Sequence, residues 1–265
     1  MSGKHYLVTG AGGGMGREIC RVLTEAGNRV WGIDRTEPSG TVSWTEIQAD
    51  LTEEDALRAA LDRIREEAGH LDGIVHAAGI YDLDSLVEMP EERFVRIFDV
   101  NLFGMARVNR LCLPLLAEDG RIVIISSELA PLRPLPFTGI YAVTKGAVEK
   151  YAQSLRMELQ MLDRHVTVIR PGAVNTGMLP ASTACLERFC RETRLYRCNA
   201  ERFRRIVNRV EAGGIPPEKI ARRAEGILRA RRPRLTVCVN RSPLLLLFEA
   251  LPERLRLFLI RTVLR

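Results

Sequence analysis

The sequence predicts an α/β fold, a doubly wound parallel sheet in a single domain with a helical extension at its C-terminal end. Three observations carry that expectation. Short apolar runs of strand character alternate with longer stretches of helical periodicity, as a parallel sheet with crossover helices requires. The first run leads straight into a glycine cluster, Thr9-Gly10-Ala11-Gly12-Gly13-Gly14-Met15-Gly16, and then into a helical stretch. A chain of 265 residues without internal repeats, low-complexity tracts or linkers suits one such domain with a full core.

Strands are expected at residues 5–8, 29–33, 71–76, 121–125, 166–169 and 235–239, each an apolar run bounded by turn formers or charge. Helices are expected at 17–26, 53–68, 91–116, 141–162 and 218–231. Residues 1–239 then form the domain, with 173–214 as a long stretch outside the minimal alternation. Residues 240–265 form an amphipathic tail. Within it, Pro252 suits a first helical turn. Leu255, Phe258, Leu259 and Val263 fall near one face, with Glu253, Arg256 and Arg261 toward another.

Composition narrows the function. The first strand is reached within a few residues, so no signal peptide is expected. The longest apolar run, 244–248, is far short of the about 20 residues a spanning helix needs. Six cysteines (20, 112, 185, 190, 198 and 238) lack the close paired spacings of a zinc site and read as free thiols in a reducing cytoplasm. Charge is unevenly placed. Residues 188–265 hold 20 Lys and Arg against 7 Asp and Glu, a net +13 in a chain of net +6, which leaves −7 for the rest. The C-terminal third therefore suits an anionic membrane surface, an acidic carrier protein or an acidic substrate group, or else solvated helix faces and a neighbouring subunit. Few aromatics and no binding module argue against nucleic acid.

Tyr141 and Lys145 are the pair that speaks most directly to chemistry. Of 39 basic residues only Lys4, Lys145, Lys150 and Lys219 are lysines, and one of these follows a tyrosine by four positions, on the same helix face. An ammonium there can hold a phenol toward its anionic form, help that a group titrating near about 10 needs to trade protons at neutral pH. By itself the pair reads equally well as a surface Tyr and Lys. The glycine cluster adds a second feature. Glycine lets backbone bend tightly and approach a phosphate closely, and the following helix N-terminus favours negative charge.

The spacing Thr9-Gly10, Gly14, Gly16 resembles the short-chain dehydrogenase/reductase family, and so does Tyr141-x-x-x-Lys145, far along the chain and in the right order. The resemblance covers residues 4–239 and implies a Rossmann-type fold, a nicotinamide dinucleotide and hydride transfer between a secondary alcohol and a ketone, without a metal. Tyr141 would be the general acid or base, and Lys145 would lower its pKa and bind the nicotinamide ribose. Asn101, in Asp99-Val100-Asn101-Leu102-Phe103-Gly104, matches the asparagine that interrupts its helix and positions a water, although a solvated amide is the plain alternative. Ser127, rather than Ser126, would orient the substrate oxygen. The loop before Tyr141 is one residue longer than the family's. Gly10, Gly14, Met15 and Gly16 would hold the dinucleotide.

Asp34 ends the second strand, where a carboxylate can accept from the adenosine ribose and repel a 2′-phosphate. NAD(H) is therefore expected over NADP(H), although neighbouring Arg35 could tolerate the phosphate. Asp50 and Leu51 resemble the adenine-edge contact, with a helix cap as the alternative for Asp50. Ala78 and Gly79 fit the family after the third strand. His76 departs from its usual asparagine and is expected to be a satisfied strand-end histidine. Pro171, Gly172, Val174 and Thr176 resemble the segment that meets the nicotinamide, and residues 173–214 would close over the substrate.

Leu132, Leu135, Pro136, Phe137, Met178, Leu179 and Leu186 are expected to border a large apolar pocket. With Pro136-Phe137 and the basic run 231–234, they look like the hydroxysteroid and retinol dehydrogenase branch. The rivals are an oxoacyl carrier-protein reductase and a dinucleotide-binding sensor or scaffold without turnover. The family implies a homodimer or homotetramer through the helices at 91–116 and 141–162. For the tail two uses stay open: packing over the pocket or a subunit, or lying in a bilayer interface as a peripheral membrane contact. Packing is favoured, because an exposed apolar stripe is an aggregation liability.

Overall fold

A computed structural model describes residues 3–37, 41–176, 178–210 and 214–265, with the backbone alone for 178–180 and 207–210. Seven strands form one parallel sheet: β1 (His5–Thr9), β2 (Arg29–Asp34), β3 (Thr45–Gln48), β4 (Leu71–His76), β5 (Leu116–Ile125), β6 (His165–Pro171) and β7 (Thr236–Val239). Their order across the sheet is β3-β2-β1-β4-β5-β6-β7. The winding reverses between β1 and β4, so the crevice at their carboxyl ends is the switch point where ligands bind in such sheets.

Alternation along the strands fills both faces. Leu7, Trp31, Ile33, Ile74, Ile122 and Ile124 point to one side, where α2 (Glu54–Ala68), α4 (Met105–Cys112) and α5 (Gly139–Leu159) cover them. Tyr6, Val8, Val30, Val75, Val123 and Ile169 point to the other, covered by α1 (Gly14–Glu25) and α8 (Glu218–Arg229). Strands buried on both faces read as near-continuous apolar runs, which is why they were visible in the sequence.

Four expectations need correction. β3 was not anticipated: Thr45-Glu46-Ile47-Gln48 offers one buried apolar side chain at a sheet edge. The helix expected over 91–116 is broken. α3 (Glu91–Phe98) passes into a π-helical stretch, Asp99–Gly104, before α4, and the chain leaves α4 through a short 3₁₀ turn into β5. The stretch 173–214 contains two helices, α6 (Met178–Glu192) and α7 (Arg197–Val210). The tail folds as α9 (Pro243–Glu249) and α10 (Glu253–Leu264), but α10 turns Arg256 and Leu264 inward while Leu255, Phe258 and Val263 are exposed. The inward seam is Arg256-Ile260-Leu264, because Arg256 finds Glu249 at 3.3 Å and the other two meet an aromatic cluster.

Candidate active site

At the end of β1 the backbone turns through Gly10 at φ +74°, in the left-handed region. A Cβ there would lie 2.5 Å from the Ala78 nitrogen, and one at Gly16 only 2.0 Å from the Gly10 oxygen. Glycine at these two places lets β1, β4 and α1 converge. α1 begins at Gly14 with no side-chain cap and no acidic residue in its first turn, so its leading N–H groups, including those of Met15 and Gly16, suit an anion. This cradle fits a dinucleotide pyrophosphate. Thr176 closes over it: a Cβ on Gly14 would touch the Thr176 side chain at 2.7 Å.

Asp34 reaches back to the same loop. One carboxylate oxygen accepts from the Gly12 amide at 2.9 Å, and the other accepts from the Thr36 amide at 3.0 Å and hydroxyl at 2.9 Å. Its carboxylate is thus fixed beside the glycines, with Arg35 exposed next to it. Asp50 accepts from the Thr52 amide and hydroxyl at 2.9 and 2.8 Å, a local turn ahead of α2 rather than its cap, since Glu53 stands at the cap position without a side-chain bond. Leu51 is buried and lines a void of about 10 Å³ with Thr9, His76, Ala78, Asn101 and Lys145. His76 is only half satisfied. One ring nitrogen meets the Asn109 carbonyl oxygen at 2.7 Å, and Nδ1 has no partner among the described residues. Burial pushes the His76 pKa down to about 4, against the Asn109 bond, so the ring is neutral.

The catalytic candidates converge at the ends of β4 and β5. Tyr141, in the first turn of α5, is 7% exposed, with the Ser127 hydroxyl placed to stabilise its phenolate. Ser126 has no such partner: its Oγ is buried and unpaired among the described residues. Lys145, one turn on and 6% exposed, donates to the Ile125 carbonyl at 3.2 Å and lies 5.7 Å from the Tyr141 ring centroid. Asn101 sits in the π-helical break. It donates to the Ile80 carbonyl at 3.0 Å and accepts from the Ile80 amide at 2.8 Å, while its amide also donates to Thr144 Oγ1 at 3.2 Å. The extra residue per turn of that break aims the amide at the loop after β4 rather than along the helix. Gly79 completes the pocket floor: a Cβ on it would stand 3.3 Å from Asn101 Oδ1 and 3.5 Å from Lys145 Nζ.

Burial dominates the electrostatics of this pair. It raises the Tyr141 pKa to about 12, the Ser127 hydroxyl opposing, and lowers that of Lys145 to about 8, Glu149 opposing. The expectation that Lys145 lowers the tyrosine pKa is therefore corrected for the free protein, because removing a phenolate from water outweighs a cation near its ring.

At the end of β6 Pro171 is buried, and beyond it Gly172 donates to the Val239 carbonyl at 2.8 Å, while Val174 bridges to Ile215. The segment expected to line an open pocket behaves differently. Phe137 and Leu186 are drawn into a packed cluster with Leu83, Phe189, Phe203 and Leu264. Phe137 has φ +64° and meets Phe189 at a tilt, with ring centroids 4.5 Å apart, and Tyr196 edge-on at 5.2 Å. They hold α6 and α7 to the body, and Tyr81, 4.9 Å from the Tyr141 ring, borders the site instead. The side chains of Met178 and Leu179 lie outside the described residues.

Sequence reasoning also missed a charged clasp. Asp82 takes Arg93 at 2.7 Å and also pairs with Arg188 of α6, and Asp84 takes Arg93 at 2.5 Å. Two aspartates two apart after β4 were its only sequence trace.

Comparison with known proteins agrees with this geometry. Residues 4–185 match the family described as short chain dehydrogenase. The chain belongs to the short-chain dehydrogenase/reductase family. It is an oxidoreductase, and the reading as a binding protein without turnover is set aside. This short-chain dehydrogenase is 27% identical over 216 residues to a 3-ketodihydrosphingosine reductase of Bacteroides thetaiotaomicron, covering 81% of this chain and 79% of that one. It is 31% identical over 192 residues to the versicolorin reductase stcU of Emericella nidulans, covering 67% and 72%. Its fold matches the Thermoplasma acidophilum aldohexose dehydrogenase at TM-score 0.75, with 24% identity over 91% of this chain and 96% of that one. It also matches a 3-ketoacyl-(acyl-carrier-protein) reductase of Brucella melitensis complexed with NADH at 0.73, with 21% identity over 90% and 97%. No helix of the described residues is long and apolar enough to cross a membrane.

Proposed function

We propose that this short-chain dehydrogenase interconverts a secondary alcohol and a ketone on a large apolar substrate, a hydroxysteroid or related lipid, with NAD(H). The observation that carries the reading is Tyr141 beside Ser127, with Lys145 buried one turn away and the glycine cradle alongside. The dinucleotide supplies the hydride acceptor or donor when bound. Tyr141 takes the alcohol proton during oxidation and returns it during reduction. Ser127 orients the substrate oxygen. Lys145, charged below about pH 8, would favour phenolate and would hold the nicotinamide ribose of a bound dinucleotide. Asn101 holds Ile80 and supports a water relay behind the lysine.

Asp34, fixed against Gly12, favours NAD(H), since a 2′-phosphate would face its carboxylate. Asp50, Leu51, Ala78, Pro171, Gly172, Val174 and Thr176 complete the dinucleotide site in this reading. A relative named for a ketodihydrosphingosine supports a lipid ketone. Such a substrate is met at a lipid surface, so peripheral membrane contact through the tail belongs to the same proposal, in a cytoplasmic protein whose six cysteines are all free. Phe103, Val143, Met157 and Met161, exposed along the α4–α5 side, support a homodimer or homotetramer, which light scattering reads directly. A single 30 kDa species at micromolar concentration would contradict it.

NAD⁺-linked turnover against hydroxysteroids, retinol, aliphatic alcohols and 3-hydroxyacyl thioesters tests the reaction. The highest kcat/KM should fall on a hydroxysteroid or long-chain lipid alcohol. Turnover confined to carrier-protein thioesters would assign the basic C-terminal third to an acidic carrier and overturn the substrate class.

A further inference from the structure

The last two helices expose what a soluble surface ordinarily hides. Leu244 and Leu247 on α9, and Leu257, Phe258 and Val263 on α10, are each more than half exposed. On α10, Arg254, Phe258, Arg261 and Arg265 recur at i, i+4, i+7 and i+11, one side of the helix, opposite in role to the inward seam of Arg256, Ile260 and Leu264. Arg241, Arg254, Arg261 and Arg265 are exposed, and none has a salt bridge among the described residues. Of the two acids of this segment, Glu249 is spent inward, on Arg256 at 3.3 Å and Arg133 at 3.6 Å, and the exposed Glu253 in the first turn of α10 leaves the arginines in excess.

We propose that the outer face of α9 and α10 is a docking surface for anionic phospholipid bilayers, with the leucines and Phe258 entering the acyl boundary and the arginines meeting the lipid phosphates. Interleaved apolar and basic side chains on short helices are what an interfacial helix needs, and arginine stems can lie along the apolar surface while their heads reach water. Charge decides the occupant. A second copy of this face would bring like-charged arginines together, whereas an anionic surface neutralises them. The surface is also tied to the catalytic loop. Glu128, next to Ser127, accepts from the Ser242 amide at 2.8 Å, and the Arg133 amide donates to Glu249 at 3.2 Å. Docking would therefore set the loop after Ser127 against the bilayer, the side from which a lipid alcohol arrives. Only this last purpose rests on the proposed substrate.

Flotation of the full-length protein with phosphatidylcholine vesicles, with and without phosphatidylglycerol, tests the surface without any turnover. Binding should require phosphatidylglycerol and weaken with salt. Leu247→Ser with Phe258→Ser should lower partitioning on the order of tenfold. Arg254→Gln with Arg261→Gln should lower it on the order of tenfold, on anionic vesicles alone. All four side chains are exposed, so thermal midpoints should not move. Absence of binding to anionic vesicles overturns the proposal, as does binding that neither double variant weakens. A change of oligomer size in the Leu247→Ser, Phe258→Ser variant, with vesicle binding intact, would assign the face to a second copy instead.

Discussion

Up to the end of β6, apolar side chains fill both faces of the sheet, and the few buried charges, Arg121, Lys145 and Glu149 among them, are each held by a specific partner. From Ala173 onward the chain is rich in arginine, and although α8 and β7 still cover and extend the sheet, α6, α7 and α10 hold to the body differently: one aromatic cluster around Phe137 and Phe203, and the clasp of Arg188 on Asp82. The first region places Gly10, Asp34, Asn101, Ser127, Tyr141 and Lys145 at the ends of strands and in helices packed on them. The second adds helices over the site and shapes what can reach it. Chemistry and selection therefore rest on separate supports, and substitutions in one should leave the other largely intact.

The largest effect separates them most sharply. Tyr141→Phe removes the one acid/base of the site without altering packing. It should lower turnover on the order of a thousandfold or more and leave dinucleotide affinity within a few-fold. Calorimetry with NADH beside steady-state rates checks it, and a variant keeping a tenth of the activity would sink the assignment. Next in size, Asp34→Ser leaves Arg35 to meet a 2′-phosphate. The ratio of kcat/KM for NAD(H) over NADP(H) should fall on the order of tenfold or more. A wild-type preference for NADP(H) would show that Arg35 outweighs the carboxylate.

Stability offers a third test, because Lys145 is kept where charge is disfavoured. Its folded pKa of about 8 lies below the ordinary lysine value of 10.5, so the unfolded chain binds the extra proton between those values and stability rises with pH there. Lys145→Met should stabilise the protein at pH 7 by up to about 3 kcal/mol, less the Ile125 hydrogen bond it gives up. The gain should shrink as pH rises from 8 toward 10, below the range where Tyr141 titrates. Urea midpoints at the two pH values measure it, and a pH-independent gain would mean that the cation is not strained.

Legibility in the sequence followed the same division. The buried strands, the glycine turn and the Tyr-Lys spacing were readable because each is local: period, turn chemistry and helix face are set within a few residues. Thr45–Gln48 was not, since an edge strand needs only one apolar anchor, and the π-helical break at Asp99–Gly104 left no compositional mark. Farther along, arginine hid the helices of 173–214, and tertiary pairing overrode periodicity in the tail. There Arg256 turned inward because Glu249 waits for it, and the leucines were left outside. Asp82 with Arg188 joins positions 106 apart, which no local pattern reports.

The most direct test of the separation is Phe203→Ala, which hollows the cluster holding α7 at a side chain only 5% exposed. Such a cavity costs about 3–5 kcal/mol where it cannot collapse. NADH affinity by fluorescence titration and KM for the best bulky alcohol should be measured on the same preparation. We expect affinity for NADH within a few-fold of wild type and KM raised several-fold. NADH affinity falling in step with KM would show that the two regions form one cooperative site, and would contradict the account.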